Sequence, residues 1–112
     1  MQNNQRQHAR RYYSTPKPCY LRKSEEHPWE PGVIHNLSLG GARLESTTKI
    51  SKGEAFQIKF NCTEEVTVAC IAVNVEDVIV GVSFGLLEKE TADLLEVEIS
   101  QDTDAYLDSL LD

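Results

Sequence analysis

The sequence predicts a mainly β fold: five or six short strands closing into a small barrel, followed by a C-terminal α-helix. Three observations carry this. Apolar and polar residues alternate over 42–47 and again over 56–61, as in half-buried strands. Residues 66–75 form a longer run rich in β-branched side chains and end near a turn signal, as in a hairpin. From Leu86 onward the apolar period lengthens from two to that of a helix.

Taken in order, residues 1–14 lack apolar periodicity and read as a basic, flexible arm. Residues 15–85 hold the barrel, and 86–112 form an acidic helical tail, within one domain spanning 1–112. Pro16 and Pro18 exclude a helix there, and 19–22 form a short strand. Residues 24–32 carry charges, Pro28 and Pro31, and predict a loop. A second strand begins at 33–36, and Ser38-Leu39-Gly40-Gly41 turns the chain into the 42–47 strand. Lys52-Gly53 marks the next turn. Glu76-Asp77 is the expected hairpin turn between the 66–75 and 78–84 strands, and Gly81 suggests a bend or close backbone approach. Leu87, Thr91, Leu94, Leu95 and Ile99 share one helical face; Tyr106, Leu107, Leu110 and Leu111 predict a second amphipathic segment, with Asp102 or Thr103 as its N-cap.

Composition narrows the function classes. The chain has 112 residues and a formal net charge of −7. No apolar run is long enough to span a bilayer, and no apolar segment follows the basic N-terminus, so neither membrane insertion nor a secretory signal is expected and the reading is cytoplasmic. Cys19, Cys62 and Cys70 form no C-x-x-C pair and read as reduced thiols; His8, His27 and His35 are scattered, and no metal site is expected. The charge is divided unevenly. Residues 1–24 carry Arg6, Arg10, Arg11, Lys17, Arg22 and Lys23 and no acidic residue, whereas residues 88–112 carry nine acidic residues and one lysine. An acidic chain of this kind argues against general nucleic-acid binding, but its basic arm suits a compact anion or the chain's own acidic half.

Two short segments concentrate the chemistry. Arg6-Gln7-His8-Ala9-Arg10-Arg11 contains R-x-x-x-R with an extra arginine, and forked guanidinium donors suit phosphate oxygens. Asn36-Leu37-Ser38-Leu39-Gly40-Gly41 reads N-x-S-x-x-G. Asn36 and Ser38 alternate, so an extended segment projects both to one side, where an amide and a hydroxyl can read a purine edge. Gly41 keeps the bend compact. Together they point to a ligand carrying both phosphates and hydrogen-bonding bases. Taken alone, the turn is also what an ordinary loop looks like.

R-x-x-x-R followed by [DN]-x-S-x-x-G in a small β-rich domain resembles the PilZ family. The stretch Asn36-Leu37-Ser38-Leu39-Gly40-Gly41-Ala42-Arg43-Leu44 is similar to the family's core segment, and Val80-Gly81-Val82-Ser83-Phe84 to its closing strand. The resemblance implies a six-stranded antiparallel split barrel with a C-terminal helix and a role as receptor for cyclic di-GMP, with no cofactor. By that resemblance Arg6 and Arg10 would grip phosphates and stack on guanine, Asn36 and Ser38 would contact a base, and Gly41, helped by Gly40, would hold the turn. Arg11 matches no motif position, but its charge suits an accessory phosphate contact. Asn36 stands where many members have Asp. Ligand binding would fold the arm over the barrel mouth and signal to an unidentified downstream protein, with oligomeric state left open.

Three rival functions compete with this reading. A ligand-independent docking module would typically lose the arginines, although the acidic helix offers a docking face. A single-stranded nucleic-acid barrel needs basic and aromatic residues interleaved on exposed strands; Phe56, Phe60 and Phe84 fall on apolar faces, and Tyr12, Tyr13 and Trp29 are scattered. An enzyme is not expected, because no nucleophile–base layout, carboxylate pair motif or P-loop is present.

Overall fold

The computed structural model describes the backbone of residues 9–111 and the side chains of residues 9–101. Arg6 and its neighbours in 1–8 lie outside the described residues, as do the side chains of Tyr106, Leu107, Leu110 and Leu111.

Six strands form a closed antiparallel barrel: β1 (Arg10–Arg22), β2 (Glu30–Ser38), β3 (Gly41–Glu45), β4 (Ala55–Asn61), β5 (Glu65–Glu76) and β6 (Ile79–Phe84), in the spatial order β1-β2-β3-β6-β5-β4. One helix, α1 (Lys89–Leu111), follows. The alternation read from the sequence sets which side chains face inward. Phe56, Ile58 and Phe60 of β4 and Val66, Val68, Cys70 and Ala72 of β5 are buried, with exposed or half-buried residues between them. Each such buried Val, Leu, Ile or Phe contributes roughly 1.5–3 kcal/mol to folding.

Several boundaries differ from expectation, each for an identifiable reason. Residues 10–14, expected in the arm, belong to β1, where Arg10, Arg11 and Tyr12 pair with Ser38, Leu37 and Asn36. Their side chains gave no period-2 apolar signal because this strand end is flanked by the helix and by polar partners rather than by a uniform core. The prolines are tolerated because β1 meets β4 only at Tyr20, Leu21 and Arg22, so the rest of the strand behaves as an edge; Pro16 falls within the register shift between Tyr12 and Lys17. The hairpin turn is Asp77-Val78, one residue later than expected: Glu76 pairs with Ile79, and Asp77 adopts φ 60°, a conformation that Asp accepts more readily than most residues. The Lys52-Gly53 turn forms as expected, with Gly53 at φ 90°. Gly81 lies opposite a register shift between Ala72 and Asn74, which is the bend its position suggested. The helix starts at Lys89 and runs unbroken through Asp102 and Thr103, so neither caps a second helix.

Helix α1 packs against β1 and β2. Leu95 and Ile99 enter the core, and Leu87 and Leu94 pack at its margin. The helix therefore covers the part of the barrel where β1 has separated from β4. No helix among the described residues is long and apolar enough to cross a membrane, and among the described residues no cluster of His, Cys, Asp and Glu is arranged to hold a metal.

The three cysteines are free thiols. Burial pushes the Cys19 and Cys70 thiols up to about 12 and the half-buried Cys62 up to about 11. A raised thiol pKa keeps the group protonated, so at pH 8 very little of Cys19 or Cys70 is the reactive thiolate. In the folded protein we expect iodoacetamide at pH 8 to label Cys62 first and slowly, with Cys19 and Cys70 labelled only on unfolding. Mass spectrometry of a labelling time course with and without denaturant checks this; fast native labelling of Cys70 would contradict it.

Candidate functional site

Ser38 organises the β2–β3 turn. Its hydroxyl accepts a hydrogen bond from the Gly40 N–H at 3.2 Å and donates to the Gly41 carbonyl at 3.3 Å, and its side chain is almost wholly buried. The bend is anchored to β6 by the Phe84 N–H, which donates to the Gly40 carbonyl at 2.9 Å. Gly41 is required by space rather than by an unusual φ. A Cβ at this position would lie 2.0 Å from the Val82 carbonyl oxygen, which is backbone and cannot step aside.

Arg10 closes the site from β1. It pairs across the sheet with Ser38, and its guanidinium forks over both polar side chains of the turn. Nη1 donates to Asn36 Oδ1, and Nη2 donates to Ser38 Oγ at 3.2 Å. Asn36 is buried beneath it, 8% exposed. Residues 26 and 28 positions apart in sequence thus share one small surface of cation, amide and hydroxyl. Such a surface offers donors to phosphate oxygens and both donors and acceptors to a base edge.

Arg11, expected as an accessory phosphate contact, is placed on the opposite face of β1. Its Nη1 donates to the Glu98 carbonyl at 2.9 Å and lies 3.1 Å from Glu98 Oε2, and its guanidinium stacks over Tyr13 at 4.6 Å. Glu98 itself is buried. It accepts a hydrogen bond from the Tyr13 hydroxyl at 2.8 Å and pairs with Lys17 at 3.4 Å. Burial and the Glu98 carboxylate push the Tyr13 hydroxyl pKa up, so the phenol stays a donor. This latch was not singled out from the sequence. Its signal was a carboxylate at the edge of the helix's apolar stripe, between Leu95 and Ile99.

Trp29 and the phenylalanines sit apart. Trp29 lies between Arg22 at 4.2 Å and Lys59 at 4.4 Å, near the β1–β4 pairing and away from Arg10. Phe56, Phe60 and Phe84 are buried.

A sequence model of the PilZ domain matches residues 4–101, nearly nine-tenths of the chain. The chain belongs to the PilZ domain family. Solved structures share the fold of this PilZ domain at low identity. The PilZ domain of Escherichia coli YcgR with c-di-GMP superposes with a TM-score of 0.67 at 12% identity, covering 96% of this chain and 98% of that one. The PilZ domain of CeSA from a cellulose-synthesizing bacterium gives 0.62 at 15% identity, covering 87% and 97%. Borreliella burgdorferi PlzA in complex with c-di-GMP gives 0.65 at 18% identity over 86% of this chain; the chain spans only 41% of that protein. No curated protein matches this PilZ domain by sequence.

Proposed function

We propose that this PilZ domain is a non-catalytic, cytoplasmic receptor for cyclic di-GMP. The observation that carries the reading is Arg10, whose guanidinium reaches both Asn36 and Ser38 and so unites the arginine motif with the turn motif. The same ligand is present in the YcgR and PlzA structures that share the fold. Arg6, four residues before Arg10, supplies the second guanidinium in this reading. Arg10 grips a phosphate, Asn36 and Ser38 contact a guanine, and the Gly40-Gly41 bend brings the backbone close. Arg11 serves the helix latch instead of the ligand.

The energetics are compatible. Each charge-assisted bond to phosphate contributes about 1.5–3 kcal/mol. Fixing a residue's backbone costs roughly 1–2 kcal/mol, and folding of β1 has already met that cost for Arg10. Ligand binding then draws the segment carrying Arg6 towards the Asn36–Gly41 bend, changing the surface offered to a downstream protein. Calorimetric titration tests the reading. The expected result is micromolar affinity for cyclic di-GMP, about 8 kcal/mol, with one or two ligands per chain and no turnover on chromatography of the recovered ligand. Absence of binding at millimolar ligand would overturn it.

A further inference from the structure

The barrel's outer face beside Arg10 carries a second cross-strand row. Tyr12 pairs with Asn36, Asn36 with Arg43, Arg43 with Gly81 and Gly81 with Asn74. Directly paired residues of antiparallel strands project to the same face. That face is the outer one, because Leu37, Ala42, Leu44, Val80 and Val82, which alternate with the row, are buried. Asn36 is thus flanked by two side chains that the arginine and turn motifs do not include.

The two flanks differ from the floor between them. Tyr12 is 65% exposed and Arg43 is exposed, whereas Asn36 is 8% exposed. Arg43 has no ion pair or side-chain hydrogen bond with any other described residue. Beyond it, Gly81 presents no side chain next to the Arg43 stem, and a Cβ there would make ordinary contact with the Asn74 side chain at 3.6 Å. With strands about 4.8 Å apart, Tyr12 and Arg43 stand about 10 Å from each other across the amide. The result is a shallow trough with a ring on one wall, a guanidinium unpaired among the described residues on the other, and a floor made of the Asn36 amide with the Arg10 guanidinium bonded over it.

We propose that Tyr12 and Arg43 are base-recognition residues: Tyr12 stacks on a guanine seated beside the Arg10–Asn36 pair, and Arg43 donates two hydrogen bonds to that guanine's O6 and N7. A guanidinium fork matches these two acceptors, and an aromatic ring supplies a stacking surface that aliphatic side chains lack. The inference rests on the proposed cyclic di-GMP reading and adds which side chains read the base.

The test is calorimetry with cyclic di-GMP on wild type, Arg10→Ala, Arg43→Ala, Arg43→Lys, Tyr12→Leu and Tyr12→Phe, with thermal melts of each. Both positions are exposed, so melting temperatures should stay near wild type. Arg43→Ala and Tyr12→Leu are each expected to weaken binding on the order of tenfold. Tyr12→Phe should keep wild-type affinity, and Arg43→Lys should fail to restore it, since an ammonium lacks the planar fork. If wild type binds and Arg10→Ala does not, yet Arg43→Ala and Tyr12→Leu bind within twofold of wild type, the base-recognition role is overturned while the receptor reading stands. Full affinity in Arg43→Lys would mean that charge alone suffices and would overturn recognition by the fork. No binding by wild type would overturn both readings together.

Discussion

Replacing Arg10 with alanine should weaken cyclic di-GMP binding at least a hundredfold. The size of the effect follows from the residue's two roles. Its guanidinium is the described cation closest to the turn, so truncation deletes charge-assisted bonds to phosphate worth about 1.5–3 kcal/mol each. It also holds Asn36 Oδ1 and Ser38 Oγ in place, and both of those side chains are buried. Without Arg10 they must find other partners, and the site loses its preorganisation as well as its charge. Ser38 still keeps its bonds to Gly40 and Gly41, so the turn persists and stability should fall by only about 1 kcal/mol. Arg10→Lys should be intermediate, because an ammonium preserves the charge but cannot fork over two acceptors. Calorimetry paired with thermal unfolding separates the two effects. Equal affinities for wild type and Arg10→Ala would remove the β1 arginine from the site.

Glu98→Ala should destabilise the fold by about 2–4 kcal/mol, lowering the melting temperature by roughly 10 °C or more. One buried carboxylate oxygen serves Arg11, Tyr13 and Lys17 together, and these tie the helix to β1. Removing it leaves Lys17 and the Tyr13 phenol without that acceptor, while Arg11 keeps its bond to the backbone carbonyl of residue 98. The loss falls short of the full value for breaking a buried pair, because the Arg11 and Lys17 side chains remain 24% and 20% exposed and can turn partly to water. Arg11→Ala should cost less than Glu98→Ala, since Tyr13 and Lys17 still satisfy the carboxylate. The three partners act as a unit, so the Glu98→Ala/Arg11→Ala double variant should be less destabilised than the sum of the singles. Thermal and urea unfolding of the set measures this. A Glu98→Ala protein that melts like wild type would show that the apolar contacts of Leu95 and Ile99 alone hold the helix.

The adjacent arginines of β1 show how much of the site was legible. Their residue type announced phosphate chemistry, and the spacing of Arg6, Arg10, Asn36 and Ser38 pointed to the PilZ family before any fold was seen. Arg11, expected as an accessory phosphate contact, was read without the period of a strand. Once residues 10–14 are extended, Arg10 and Arg11 must face opposite ways, and the first meets the turn while the second meets the helix. The strand went unread because no alternation of apolar residues marks residues 10–14.

The sequence by itself determined the strand alternation, the polar bend at Ser38–Gly41, the change to helical period after the barrel and the two motifs of the proposed site. These are local properties, written in spacings of two to four residues. Only the tertiary structure decided that Arg10 lies over Asn36 and Ser38, that Tyr12 and Arg43 flank the same amide, and that Glu98 finds Arg11, Tyr13 and Lys17 across more than eighty positions of chain. Those meetings depend on strand register and on shifts such as that between Tyr12 and Lys17. A one-residue slip would turn every later side chain to the other face, and what selects the register is the packing of the whole core rather than any short segment.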